Sequence, residues 1–534
     1  MFMRGLLAAV TELLILARDV SITFFTVVVI DFLLYCVIRR FVAFFRLAKF
    51  ILLSVSCCMF ASDLFTLYNF GLPLNTLMLE MIVMSNPTES IEFLQAYLSD
   101  PNIWLFFGII AMVLTALRYV FGAIYRHKKL LYVLALIGLI LGIFATGREC
   151  LYVWYEKRPL RAFGLSRLCF MLNTVHEGNK AYQRMLASSP QDVHITKNNG
   201  NIPYVVFILG ESTSRNRMSA YGYELRTTPF LDEAVRNGMA YVFSDVISPH
   251  GITSLSLQKM FTFCNYEAPR RWFEYTSLFR IITEAGYRTA WLSNQESSSS
   301  WKVSGFYIKD CTTHAFTDRL NESHKRGALY DERLLPIIDD AMRSDTKKNF
   351  YLIHLLGTHH HYHKRYPENF ETFSLEDEGG YDGISALQRN VRAKYDNAVL
   401  YNDFVVNEIV KRFLDKDAVV IYVSDHGEEV YDTMNYSGHN EGLISRFVLE
   451  IPMIIWLSDS FRESYPELVQ RIAGSVDRPY MTDDIIHTVL DIMSIETEEF
   501  ASARSIISPE FDSSRPRVYA GQVYDKETGF HELR

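Results

Sequence analysis

Two carboxylates and an imidazole stand where a polypeptide could grip a cation. Glu211 follows the apolar run Tyr204 to Leu209, and Asp425 and His426 follow the run Val419 to Val423. Carboxylate oxygens with an imidazole nitrogen suit zinc or a similar divalent ion. Neighbouring residues on a strand point to opposite faces, so Asp425 and His426 share one ion only if the chain turns out of the strand there, and Gly427 is predicted to permit that turn. Such a site wants one more ligand and, for group transfer, a nucleophile. The segment Ser248-Pro249-His250-Gly251-Ile252-Thr253-Ser254-Leu255-Ser256-Leu257 offers hydroxyls at the start of a predicted helix, whose N–H groups and dipole favour anions. A hydroxyl beside a metal loses its proton more readily and can attack phosphorus. Each piece alone has a plainer use: a hydrogen-bonded turn for Asp-His-Gly, helix caps for Glu211 and the hydroxyls.

These residues sit where strands end. From about Asn201 short, continuous apolar runs alternate with helical patterns, which reads as βα units around a buried parallel sheet. Predicted strands are Tyr204 to Leu209, Thr289 to Leu292, Phe350 to Leu355, Val419 to Val423 and Met453 to Trp456. The first four end in Gly210-Glu211-Ser212-Thr213, Ser293-Asn294-Gln295, Gly357-Thr358-His359 and Ser424-Asp425-His426-Gly427. Ligands of open α/β sheets bind beyond the carboxyl ends of strands, so four polar ends are expected to converge on one crevice.

The 534 residues, 49% hydrophobic and 21% charged, exclude a disordered chain or a disulfide miniprotein and call for at least two units. A net charge of −8 argues against nucleic acid as a partner, since phosphate binding needs a basic face. Seven cysteines show no CxxC pairing, which excludes a thiolate zinc knuckle or redox pair and leaves open a bridge between two of Cys169, Cys264 and Cys311. Runs of bilayer length lie at 21–38, 43–61, 103–124 and 130–146, and 5–17 is read as a fifth span. Arg39, Arg40, Arg46 and Lys49 fill one loop and Arg126, Lys128 and Lys129 another, placing both in the cytoplasm. The stretch 63–100 has no Lys or Arg and is placed outside, as is everything beyond Arg148. Within it, 76–98 is amphipathic and expected along the outer membrane surface. The predicted organisation is a helical transmembrane domain over 1–149, linker and membrane-surface helices over 150–200, and an extracytoplasmic catalytic domain over 201–534.

Gly210-Glu211-Ser212-Thr213-Ser214-Arg215, Tyr221-Gly222-Tyr223, Thr227-Thr228-Pro229, Ile252 to Leu257 and Ser424-Asp425-His426-Gly427-Glu428, in that order, resemble the motifs of membrane-bound phosphoethanolamine transferases of the alkaline phosphatase and sulfatase superfamily. The resemblance runs over nearly the whole chain. It implies a sulfatase-like α/β domain with a mostly parallel central sheet, in the periplasm of a multi-pass protein of the bacterial inner membrane. By the same resemblance Thr253 matches the phosphoacceptor, and Glu211, Asp425 and His426 match zinc ligands, with the Thr253 oxygen completing the set. His359 and His439 match histidines beside the transferred phosphate, and Asn294 and Lys302 are candidate substrate contacts. One catalytic zinc is implied, with a second left open. The implied donor is phosphatidylethanolamine and the acceptor an envelope glycolipid or glycan such as lipid A or lipopolysaccharide core. A water-accepting phosphodiesterase and a phosphoglycerol transferase are the alternatives. Where many relatives flank the nucleophile with a cysteine pair, this chain has His250 and Lys259, so packing must hold Thr253 in place.

Overall fold

The computed structural model describes residues 164–187, 193–295, 303–317, 330–378, 384–441, 444–519 and 522–526, with short pieces between 54 and 112. The chain divides into two compact units, Met1–Gln183 and Arg184–Arg534. In the first, Met59, Leu74 and Met171 form a small buried cluster on which Val55, Met78, Leu79 and Leu168 pack. Met171 and Leu168 belong to helix α1 (Gly164–Ala187). The predicted spans 5–17, 21–38 and 130–146, and most of 43–61, 103–124 and the amphipathic 76–98, lie outside the described residues. Among the described residues no helix is long and apolar enough to cross a membrane.

The second unit is built on a seven-stranded sheet. In chain order its strands are β1 (Tyr204–Gly210), β2 (Ala240–Val242), β3 (Arg288–Ser293), β4 (Thr313–Phe316), β5 (Asn349–His354), β6 (Ala418–Ser424) and β7 (Met453–Leu457). Their spatial order is β2-β7-β6-β1-β5-β3-β4. Strands β6, β1, β5, β3 and β4 pair in parallel, whereas β7 is antiparallel to both β6 and β2. The sheet is thus mixed, and the parallel partnership expected for Met453 to Trp456 is corrected. The chain leaves β6 and re-enters β7 at the same end of the sheet, with Val423 opposite Met453. The crossover that parallel pairing demands is missing there.

Register is what positions chemistry. Gly210 lies opposite Ser424, and Leu209 and Ser293 both lie opposite His354, so four polar strand ends emerge level with one another. Both faces of the sheet are apolar because both are covered. On one face Val206, Ile208, Tyr351, Ile353, Val420 and Tyr422 pack with Tyr395, Val399, Val405 and Ile409 of a long helix, Ala386–Lys411. On the other, Phe207, Phe261, Phe279, Trp291 and Tyr307 meet mostly edge to face, their neighbouring centroids 5.2–5.6 Å apart. Phe261 follows helix α2 (Thr253–Met260), and the Tyr307 hydroxyl donates to the Leu257 carbonyl at 2.7 Å. The aromatic layer therefore seats the helix that begins with Thr253. Cys169, Cys264 and Cys311 carry free thiols, which closes the question of a bridge among them.

A buried histidine of the core, His487, makes stability depend on pH. His487 is 3% exposed, lies between Phe263 and Phe500, and accepts the Ala501 N–H at Nδ1. Burial first, then Arg504 and Arg515, pulls it from 6.5 to about 3. The unfolded chain takes up this proton near pH 6.5 and the folded chain resists it, so stability present above pH 6.5 is lost as pH falls toward 3, by at most about 1.4 kcal/mol per pH unit. We expect denaturant midpoints to fall across that window, and His487→Gln to flatten the fall.

Candidate active site

At the end of β1 the chain makes a strained turn. Ser212 has a φ of 58°, a conformation a non-glycine residue keeps only when its surroundings impose it. Those surroundings are specific. The Ser212 N–H donates to Asp425 Oδ1 (3.1 Å), and its carbonyl accepts the hydroxyls of Tyr395 and Thr358, both at 2.8 Å. Gly357, at φ 54°, closes the turn from the β5 side, where a Cβ would stand 2.6 Å from the Glu211 carbonyl oxygen. Only glycine fits that approach.

At the end of β6, Asp425 N–H still donates to the Gly210 carbonyl (3.2 Å) before the chain leaves the sheet. Gly427 serves this exit differently from the sequence expectation, because it does not take a left-handed φ. It is needed for space: a Cβ would lie 2.1 Å from the Phe447 carbonyl oxygen, and its N–H donates to Val448 O at 2.8 Å.

These two turns, with the first residue of α2, bring acceptor atoms together. Thr253 Oγ1 is 3.2 Å from each Glu211 carboxylate oxygen and 3.2 Å from His426 Nε2. His426 Nε2 is 3.4 Å from Glu211 Oε1 and 3.3 Å from Asp425 Oδ2. The Gly427 carbonyl lies 2.8 Å from His426 Nδ1, which assigns the ring proton to Nδ1 and leaves the Nε2 lone pair facing the cluster. Glu211, Asp425 and His426 are buried. Burial, and next the Asp425 carboxylate, push Glu211 well above the usual carboxylate range, and burial pulls His426 down. No Lys or Arg among the described residues pairs with either carboxylate. Asp425 Oδ2 is buried without a hydrogen-bond partner, a costly state that a cation relieves. Two carboxylates, a neutral imidazole and a hydroxyl converging in a buried space form a donor set that fits zinc or a similar divalent ion. Among the helix's other hydroxyls, Ser256 is buried and donates to the His250 carbonyl.

Beside this cage stands a second arrangement. The His439 ring lies 4.1 Å from that of His426 and 6.0 Å from that of His359. His439 Nδ1 is 2.6 Å from Glu428 Oε2, and the Tyr362 hydroxyl donates to Glu428 Oε1 at 2.6 Å. Burial lowers the proton affinity of His439, but the Glu428 charge and hydrogen bond outweigh it and the net shift is upward. Glu428 stands within the Ser424-Asp425-His426-Gly427-Glu428 motif, but its role is not legible from the sequence. Its partners lie 66 and 11 residues away, and nothing local signals them.

The weaker candidates fare differently. Asn294 is fully buried; its amide donates to Asp331 Oδ1 (2.7 Å) and accepts the Thr317 hydroxyl (2.6 Å). Asp331 in turn accepts the Leu356 and Gly357 N–H groups, both at 2.8 Å. Asn294 thus braces the loop leading to His359, which departs from a direct substrate contact. Lys302 lies outside the described residues.

Comparison with known proteins places this geometry among relatives. Residues 203–495 match the sulfatase family. Phosphoethanolamine transferase EptC of Escherichia coli is 33% identical over 334 residues, 61% of this chain and 57% of the relative. The Kdo(2)-lipid A phosphoethanolamine 7''-transferase of E. coli is 29% identical over 284 residues, 52% and 47%. The chain thus spans little more than half the length of the first of these and less of the second. Among solved structures, the zinc complex of the C-terminal periplasmic domain of E. coli EptC superposes with a TM-score of 0.58 at 30% identity, covering 64% of this chain and 95% of that domain. The integral membrane transferase EptA of Neisseria meningitidis, at 22% identity, shares the fold with a TM-score of 0.58 over 85% of both chains.

Proposed function

Because the chain belongs to the sulfatase family, we propose that it transfers phosphoethanolamine from phosphatidylethanolamine to an envelope glycolipid, through a phosphorylated Thr253. One observation carries the reading: a hydroxyl at the start of a helix stands 3.2 Å from both oxygens of a buried carboxylate and from an imidazole nitrogen. Glu211, Thr253, Asp425 and His426 would hold the ion. When bound, zinc would make the coordinated hydroxyl more acidic and offset charge developing on the phosphoryl oxygens.

The chain's own groups account for the rest. Thr253 Oγ1 attacks phosphorus, the bond to diacylglycerol breaks, and phosphoethanolamine stays on Thr253. An acceptor oxygen then attacks the same phosphorus and Thr253 regains its proton. His439, with Nδ1 held by Glu428, presents Nε2 as a proton carrier for leaving and entering oxygens, and His359 binds the phosphoryl group from the β5 side. Relatives named as phosphoethanolamine transferases and the zinc complex of one of them support both the group transferred and the metal. The number of ions is one in this reading, since Glu428 is already engaged by Tyr362 and His439.

The location follows from the substrates, both lipids held at one surface. We place 1–149 in the bacterial inner membrane, 150–200 as linker and surface helices, and 201–534 as the catalytic domain in the periplasm. The apolar runs and their basic loops support this. Mass spectrometry of products from the full-length chain, in bilayers holding phosphatidylethanolamine, phosphatidylglycerol and lipid A, tests the reaction. We expect phosphoethanolamine on the glycolipid and an equal amount of diacylglycerol. A phosphoglycerol product, or phosphoethanolamine released into water at the same rate with and without glycolipid, would contradict it.

A further inference from the structure

Thr253 opens a helix whose N-cap, Ile252, offers no side-chain hydrogen bond, so its position depends on the loop before it. That loop is held from one direction by a single carboxylate. Glu441 Oε1 accepts the Gly251 N–H at 2.8 Å, while Oε2 accepts the Tyr519 hydroxyl at 2.7 Å and lies 3.4 Å from His250 Nδ1. The contact is tight: a Cβ at Gly251 would lie 3.0 Å from both the Asn440 carbonyl oxygen and Val448 Cγ1. Glu441 is also two residues beyond His439, on the loop that presents that imidazole. Tyr519 belongs to a short C-terminal hairpin, Val518–Tyr519 with Gln522–Val523, so three separate pieces of chain meet on one side chain.

We propose that Glu441 is a positioning residue that clasps the Thr253 loop to the His439 loop, fixing nucleophile and imidazole relative to each other. The inference rests on the transfer reading for its kinetic consequence but not for the clasp itself. Reacting groups tolerate little displacement, and about 1 Å can cost about 100-fold in rate. Glu441 touches none of the four cage atoms, so its loss should spare the cage. The Gly251 contact needs only an acceptor oxygen, which glutamine retains.

The test uses the full-length chain with Glu441→Ala, Glu441→Gln and Tyr519→Phe, read by kinetics, zinc content and hydrogen exchange of the peptide covering 248–253. For Glu441→Ala we expect kcat to fall about 10- to 100-fold, with KM for phosphatidylethanolamine and zinc content unchanged, and exchange at least about 10-fold faster. Glu441→Gln should recover most of both losses, and Tyr519→Phe should show a smaller loss in the same direction. Unchanged exchange in Glu441→Ala, or a glutamine variant as impaired as alanine, would overturn the clasp. If the alanine variant does not fold, Tyr519→Phe decides: wild-type exchange in that variant would overturn it. A wild-type chain with no transfer activity would sink the transfer reading, while exchange would still report on the clasp.

Discussion

Replacing Thr253 with alanine should abolish turnover, on the order of 10⁴-fold or more, and remove any phosphoethanolamine adduct from the protein. The expectation follows from position. Thr253 Oγ1 is the hydroxyl that reaches both Glu211 oxygens and His426 Nε2, whereas Ser256, one turn on, is buried and committed to the His250 carbonyl. Thr253→Ser keeps the oxygen and should retain measurable activity, reduced because serine lacks the methyl group that restricts χ1. Intact mass after exposure to phosphatidylethanolamine checks both. An alanine variant that still carries the adduct would place the nucleophile elsewhere.

The second large effect concerns Glu211→Gln, in which loss of activity and gain of apoprotein stability should come together. Without the ion, Glu211 is a buried carboxyl facing a second carboxylate, and its proton affinity is well above normal. The unfolded chain gives up that proton above about pH 4.5, whereas the folded chain keeps it. The apoprotein therefore loses stability as pH rises from 4.5 toward the raised folded-state value, by at most about 1.4 kcal/mol per pH unit. Glutamine has no proton to give up. At pH 7 the metal-free variant should unfold at higher denaturant than the metal-free wild type, and near pH 4.5 the two should coincide. Zinc reverses the order, because a ligand bound only by the folded state stabilises it in proportion to RT ln(1 + [L]/Kd), and the variant has lost a ligand. Unfolding curves with chelator and with added zinc, at both pH values, check the crossing. Equal stabilisation of the two proteins by zinc would remove Glu211 from the site.

Much of this arrangement was legible from sequence because its signals are local. Continuous apolar runs ending in Gly-Glu-Ser-Thr and Ser-Asp-His-Gly mark strands and what they deliver, and register then makes Gly210 and Ser424 neighbours. The edge strands β2 and β4 are illegible for the opposite reason. Ala240–Val242 is only three residues long, and Thr313–Phe316 opens with two polar residues and has none fully buried, so neither shows the long, fully buried run that marks the central strands. The antiparallel entry of β7 depends on the route of a long connection rather than on residue type. Asn294 shows how a polar strand end can mislead: composition marks the position but not that Asp331 and Thr317 take up its amide. Glu428 and Glu441 have partners up to 66 and 191 residues away, a separation that no motif encodes.

In the proposed site one cation is held by Glu211, Thr253, Asp425 and His426. X-ray absorption at the zinc edge on the full-length chain, with metal content per chain, distinguishes this site from its neighbour, because the alternative formed by His426, Glu428 and His439 would supply two imidazoles. We expect one zinc per chain, with one imidazole and otherwise oxygen ligands, and loss of that signal in Asp425→Asn. Two imidazoles, a sulfur ligand, or an unchanged spectrum in Asp425→Asn would rule this site out.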